Sequence, residues 1–135
     1  MIVVYAYVVG DIIHKGHLLH LDNGKVLGDI LIVGVLTDEA VMEEKPKPII
    51  PFDERLDIIK SLKVVDVAVP QNTYSPVSNI MDIRPDIVLE SDSHGVEVLL
   101  ATKEAADAVD ARMLIMPYSP VTSSTDIKER IKSGN

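Results

Sequence analysis

Aliphatic runs recur along the chain at wide spacing, over residues 2–9, 29–36, 64–69, 86–89 and 113–116. Each has strand length, and most are separated by stretches long enough for a helix. Alternation of this kind predicts βαβ units and a parallel sheet, with right-handed crossovers that place helices on both faces. Four segments carry helical signals. Residues 17–27 are one, although Gly24 inside "DNG" counts against it by ~1 kcal/mol relative to alanine. In "FDERLDIIKSL", 52 to 62, Phe52, Leu56 and Ile59 share a face, with Asp53 the expected N-cap and Leu62 closing the last turn. Residues 96–109 carry the alanine-rich "EAADA". "SSTDIKERIKS", 123 to 133, offers Ser and Thr caps and an Asp126–Arg130 pair at the favourable i,i+4 spacing. Two stretches read as loops: "EEKPKPIIP", 43 to 51, with three prolines, and "PQNTYSP", 70 to 76. There is no repeat and no linker, so residues 1–135 are expected to form one domain.

Composition sharpens this reading. Apolar residues make up 47% of the chain but aromatics only 4%, so the core must be built from Val, Ile and Leu. That suits strands buried on both faces. The net charge of −8 argues against binding nucleic acid, which needs a basic footprint, yet leaves room for one basic pocket that takes a phosphorylated molecule. Without cysteine there is neither a disulfide framework nor thiolate chemistry. No apolar run approaches the ~18 residues of a membrane span. The opening "MIVVYAYVVG" lacks a basic leader region and reads as a strand, so a cytoplasmic protein is expected.

The candidate chemistry begins at "GDIIHKGHLLH", 10 to 20, where three of the four histidines stand at steps of three. The stretch joins the first strand to a helix start. In open α/β sheets ligands sit beyond the carboxyl ends of the strands, and a helix starting there points free N–H groups at an anion. Gly16 lets backbone come close to a ligand. Two imidazoles suit phosphoryl chemistry: each can donate N–H to a phosphate oxygen, and a protonated ring adds charge. The rival readings are a solvated helix start for His14 and His17, and a metal site that also uses His20, for which no acidic ligand stands at the right spacing. "TSSTDIKER", 122 to 130, opens the last helix and offers a second anion site through Ser123, Ser124 and Thr125, or simple capping. Lys47 lies in the proline-rich loop. Arg55, a cation in the first turn of a helix where it opposes the dipole, reads as placed for a partner.

Together these pieces resemble the cytidylyltransferase-like nucleotidyltransferases over nearly the whole chain. "DIIHKGHLLHL" looks like the H-x-G-H signature, and "LGDILIVGVLTDE", 27 to 39, like the second strand and turn. "KPIIPFDERLDIIKSLKVVDVAV", 47 to 69, looks like the lysine loop, arginine helix and third strand, and "TSSTDIKERI" like the I-S-S-T signature. The resemblance implies a Rossmann-like three-layer α/β/α fold whose five-stranded parallel sheet has the order 3-2-1-4-5, and a homodimer. It also implies Mg²⁺-dependent nucleotidyl transfer with release of pyrophosphate. CTP is favoured over ATP, and the acceptor is a small phosphorylated alcohol or sugar, a chemistry of lipopolysaccharide or phospholipid precursors. The implied catalytic residues are His14, His17 and Lys47. Nucleotide binding falls to Val9, Gly10, Asp11, Gly16, Asp92, Ser123, Ser124 and Thr125, acceptor binding to Arg55 and Asp38, and no side chains are implied as a resident metal site. The alternatives are adenylyl transfer to a heptose phosphate, FMN or pantetheine phosphate, and a nucleotide-binding module without turnover. The chain departs from the family pattern in three places. Val8-Val9-Gly10-Asp11 stands where G-T-F-D is usual, Tyr118 stands at an arginine, and "SDS", 91 to 93, replaces a glycine-containing turn. Gly10 is expected to restore close backbone approach to the phosphates.

Overall fold

The computed structural model describes residues 1–117 and 124–133. Five strands, β1 (Val3–Val8), β2 (Ile30–Leu36), β3 (Val67–Gln71), β4 (Ile87–Ser91) and β5 (Arg112–Met116), form one parallel sheet in the order β3-β2-β1-β4-β5. Helices α1 (Lys15–Val26), α2 (Asp38–Met42), α3 (Phe52–Ser61), α4 (Val77–Ile83), α5 (Val96–Ala108) and α6 (Ser124–Ser133) complete the described elements. The strand order is the expected one, and the fold is Rossmann-like α/β.

Side chains alternate across a strand, so each strand feeds two cores. From β1, Val4, Ala6 and Val8 join Leu21 of α1, Ile59 of α3 and Leu89 of β4 on one face. Tyr5 and Tyr7 join Val41 of α2, Ile80 of α4 and Ala105 and Ala106 of α5 on the other. The central strand is thus buried on both sides, as its unbroken aliphatic run implies.

Several expected boundaries move for identifiable reasons. Helix α1 continues through Gly24, because a Cβ there would meet Leu31 Cδ1 at 2.9 Å. The glycine that weakens the helix on propensity is what lets it lie close to β2. Strand β3 is displaced toward the C-terminus and runs through Pro70, which is tolerable because β3 is an edge strand with one unpaired side. The N-cap of α3 is Pro51 rather than Asp53, which sits in the first turn where a carboxylate complements the helix dipole. Helices α2 and α4, of five and seven residues, were not expected. They are too short to show a helical period, and each is held by burial of a few apolar side chains, Ala40 and Val41 in one and Ile80 in the other. The Asp126 side chain of the expected ion pair lies outside the described residues.

At the amino ends of the strands, carboxylates take up free backbone donors. Asp29 accepts from the Ile2 amide at 2.7 Å, Asp86 from Val3 at 2.8 Å and Asp66 from Leu31 at 2.8 Å. At the carboxyl ends one cation does the corresponding work. Arg55 is fully buried, and every guanidinium nitrogen is engaged. Its Nε donates to Ile50 O at 2.9 Å, Nη1 to Val9 O at 2.7 Å and Leu36 O at 2.6 Å, and Nη2 to Asp38 Oδ1 at 2.6 Å. Arg55 and Asp38, expected at an acceptor phosphate, instead pair with one another inside the wall that joins β1, β2 and the proline loop.

Arg55→Lys is expected to lower stability by ~3 kcal/mol, because an ammonium cannot reproduce the planar fork and leaves buried carbonyls without donors. Urea unfolding measures this. Unchanged stability with weakened acceptor binding would put the guanidinium back at the acceptor.

Candidate active site

A cavity of about 1260 Å³ opens over the carboxyl ends of the strands. It lies where the chain order reverses around β1, with β2 on one side and β4 on the other. Its walls come from the β1–α1 turn, one side of α1, the proline loop, the segments after β3, β4 and β5, and α6. Of the expected residues, Val9, Asp11, His14, Gly16, His17 and Lys47 line it.

The two histidines form the N-terminus of α1. His14 is the N-cap, with extended backbone, and its Nδ1 accepts from the Gly16 amide at 3.0 Å. His17 reaches back, and its Nδ1 accepts from the His14 amide at 3.3 Å. The pair thus makes a reciprocal capping box out of imidazoles, with ring centroids 4.1 Å apart. This contact fixes the tautomers. With Nδ1 used as an acceptor in both rings, each neutral ring carries its hydrogen on Nε2. Burial pushes the pKa of His17 down to about 4, helped by the neighbouring His14 and His20. Burial also lowers His14. The site in its free state therefore offers two neutral N–H donors, not the imidazolium charge that the sequence allowed. His20, which the sequence offers only to a rival metal site, lines the cavity one turn further on. Burial lowers its pKa too, opposed by Glu90 and reinforced by His94.

Asp11 organises the cationic wall. It is 2% exposed, and its carboxylate accepts from the amides of Ile49 at 3.1 Å and Ile50 at 2.8 Å, and from Lys128 Nζ of α6. Burial tends to raise its pKa, but Lys128 and the two amides outweigh that and hold it below the usual carboxylate range. One side chain thus fastens the proline loop that carries Lys47 and draws α6 to the cavity. Lys45, Lys128 and Lys132 line the same wall and were not anticipated, since scattered lysines carry no sequence signal until the fold gathers them.

A second polar cluster lies on the β4 side. Glu90 is fully buried, and its carboxylate accepts from Tyr7 at 2.7 and 2.8 Å and from Thr102 at 2.6 Å, with His94 Nδ1 at 2.8 Å. His94, Tyr7 and Tyr74 face the cavity. The available signal was a carboxylate inside the aliphatic run "DIVLES" four residues before the fourth histidine.

The remaining expectations fall differently. Gly10 has φ +70°, and the position of a Cβ there faces Ile59 and Ile13 in the core, so the glycine serves the turn and does not line the cavity. Asp92 is exposed beside the cavity, and Ser91, Ser93 and Gly95 line it instead. Ser123 lies outside the described residues. Ser124 and Thr125 begin α6, and their side chains lie outside the described ones.

Comparison with known proteins agrees with this arrangement. The cytidylyltransferase-like family profile matches residues 10–130. An FAD synthase of Methanoculleus marisnigri is 40% identical over 97% of this chain and 89% of its own length. The bifunctional protein HldE of Vibrio vulnificus is 33% identical over 92% of this chain, which spans only 26% of that protein. Among solved structures, a lipopolysaccharide core biosynthesis protein from Thermoplasma volcanium superposes with a TM-score of 0.74 at 32% identity, covering 88% of this chain and 97% of that one. A five-stranded sheet in this order, an H-x-G-H pair capping the first helix and a match across most of the length place the chain in the cytidylyltransferase-like family of nucleotidyltransferases.

Proposed function

We propose that the protein transfers the adenylyl group of ATP to the phosphate of FMN, forming FAD and releasing pyrophosphate. The reading exchanges the CTP favoured by family resemblance for ATP, in keeping with the FAD synthase similar to this chain over 97% of its length. The observation that carries nucleotidyl transfer is the tautomer lock on His14 and His17, which leaves two Nε2–H donors for phosphate oxygens, and the choice of ATP and FMN rests on the similar FAD synthase. The cavity, at about 1260 Å³, exceeds the ~300–1,000 Å³ usual for a single ligand, as a site for two large substrates must. Its lysine wall suits a triphosphate, and its tyrosines suit a flat ring.

In this reaction a phosphate oxygen of FMN attacks the α-phosphorus of ATP. The bond from that phosphorus to the bridging oxygen breaks, and pyrophosphate leaves in line. The acceptor phosphate needs no base, so the chain's work is positioning and charge stabilisation. His14 and His17 donate to oxygens on the α-phosphorus, whose negative charge favours donors that are already aimed. Lys47 and Lys128 neutralise the remaining phosphate charge. The N-terminus of α6, with Ser123, Ser124 and Thr125, is assigned to the β- and γ-phosphates. Mg²⁺ enters as part of the nucleotide substrate, where it neutralises triphosphate charge. The donor set fits that role: the cavity is lysine-rich, and Asp11 is already occupied by three donors.

A second reading, nucleotidyl transfer to a sugar phosphate, is favoured by the Thermoplasma volcanium structure. Chromatography of products from ATP or CTP with FMN, or with a panel of sugar phosphates, separates the two. FAD should appear only with ATP and FMN. A nucleotide sugar in place of FAD would select the second reading, and no pyrophosphate from any pair would select a binding module without turnover.

Two further outcomes are expected. His17→Ala should lower kcat by ~10²-fold, the size of one lost transition-state donor, as measured by pyrophosphate release; full activity would return the pair to capping alone. The second concerns acid stability. His17 takes up its proton near pH 6.5 when unfolded but only at about pH 4 when folded. The unfolded state therefore binds more protons across that interval. The stability from a neutral His17 is complete above about pH 6.5 and is lost as pH falls toward 4. Urea midpoints measured from pH 7.5 to 4.5 should fall, and His17→Gln should flatten the curve without abolishing the slope, since His14 and His20 shift in the same direction.

A further inference from the structure

The β4 cluster contains a second, differently wired histidine. Glu90 is the only wholly buried carboxylate among the described residues, and it sits behind the cavity wall rather than in it. Glu90 Oε1 already accepts from the Tyr7 hydroxyl, and with that oxygen in the accepting role the hydrogen between it and His94 Nδ1 belongs to the imidazole. Tyr7 Oη also lies 3.1 Å from that nitrogen, but its own hydrogen is directed at Glu90. In the neutral ring, with its hydrogen on Nδ1, Nε2 carries the free lone pair. One face of the ring is covered by Tyr7, at 5.2 Å between centroids and 10° between planes. Tyr74 stands edge-on at 6.4 Å. The Tyr74 segment is itself fixed from below, because buried Gln71 donates its carboxamide hydrogens to Thr73 O at 3.1 Å and Tyr74 O at 3.2 Å. The result is an aromatic corner that holds one imidazole in place, on the β4 side of a cavity whose opposite wall carries lysines.

We propose that Glu90 and His94 form a recognition dyad: Glu90 is a positioning residue that holds the imidazole by Nδ1, and His94 Nε2 accepts a hydrogen bond from an N–H of a planar nitrogen heterocycle packed against Tyr74. This rests on the adenylyl-transfer reading, in which two substrates carry such a group. The exocyclic amine of adenine and the imide N–H of the flavin ring have the same chemistry. Lysine-rich walls select for phosphate, which both substrates possess; an aimed acceptor selects among rings. A site built to pair with an N–H rejects an analogue that lacks it, because the acceptor is then left unmatched out of water.

Calorimetry on the full chain tests this with two pairs of probes: ATP against purine riboside triphosphate, which has a hydrogen in place of the amine, and FMN against 3-methyl-FMN, which lacks the imide hydrogen. The parent protein is expected to discriminate by about tenfold or more within one pair, and His94→Ala to lose that preference. Loss in the ATP pair assigns the dyad to the nucleobase; loss in the FMN pair assigns it to the acceptor. Imidazole nitrogen NMR on the unliganded protein supplies a readout that a purely structural role would not move. His94 should carry its hydrogen on Nδ1 in the parent and move it to Nε2 in Glu90→Gln, whose amide donates where the carboxylate accepted. Thr102→Val, which keeps Glu90, is the companion variant should Glu90→Gln fail to fold, and it should retain the Nδ1 hydrogen. Unchanged discrimination in His94→Ala, or a parent ring protonated on Nε2 alone, overturns the dyad even if FAD is formed. Discrimination lost as expected but without FAD formation would overturn FMN adenylylation alone, and no binding of either parent probe would overturn both.

Discussion

The cavity exists because Arg55 ends the strands cleanly. Where β1 and β2 leave the sheet, the carbonyls of Val9 and Leu36 have no ladder partner that could satisfy them and still let the chain diverge into a pocket. One guanidinium takes both and also binds Ile50 O in the proline loop. Burying such a charge costs several kcal/mol after relaxation. The cost is offset only because every guanidinium nitrogen is engaged and Asp38 supplies a counter-charge at 2.6 Å. The loop carrying Lys47 is then fastened a second time by Asp11, which accepts from the Ile49 and Ile50 amides. A proline-rich loop with little regular hydrogen bonding thus becomes a fixed wall. The two ionic junctions share a logic: each places a charge where backbone groups would otherwise be orphaned at the rim of the site.

This arrangement explains how a chain of net charge −8 presents a cationic pocket. Asp29, Asp66 and Asp86 are spent at the amino ends of the strands, capping β1 and β2. Asp38 is matched to Arg55, and Asp11 to Lys128. Lys45 and Lys47 of the proline loop and Lys132 of α6 are left to face the cavity. A phosphate-bearing ligand approaching the carboxyl ends thus meets a group of lysines on one wall of an otherwise acidic protein.

How much of this could be read beforehand follows from the range of each interaction. Strands and long helices were legible because their signals are periodic and local. Helix α4 was not, because seven residues around one buried isoleucine have no period to detect. The H-x-G-H pair was legible because its partners lie within one turn. Arg55 was recognised as unusual, being a cation in a helix's first turn, but its direction was misread. Its partners Val9 and Leu36 lie 46 and 19 residues away, and only the folded sheet brings them together. The same holds for Gly10, where the glycine was explained by a ligand and in fact answers to a left-handed backbone. Glu90 and His94 are only four residues apart, yet their pairing depends on Tyr7 and Thr102 from elsewhere in the chain.

The three histidine contacts at the cavity show how a protein sets one side chain to opposite tasks. His14 and His17 receive amide hydrogens on Nδ1, so their outward nitrogen must be a donor. His94 faces a carboxylate through Nδ1, so its outward nitrogen is an acceptor. The choice lies in what stands behind each ring: a helix N-terminus rich in free N–H groups in the first case, a buried carboxylate in the second. Phosphate oxygens need donors, and an N–H on a heterocycle needs an acceptor. The polarity of the backing group therefore decides which part of a substrate each histidine can meet. A neutral donor pair also has a physical advantage over a charged one here. It can bind phosphate without the desolvation cost that burial imposes on an imidazolium, and that cost is what pushes the His17 pKa down. In the proposed reaction the positive charge is carried instead by lysines at the rim, where Lys47 is exposed, so that neutral hydrogen-bond donors at the helix terminus and hydrated charge at the edge divide the work.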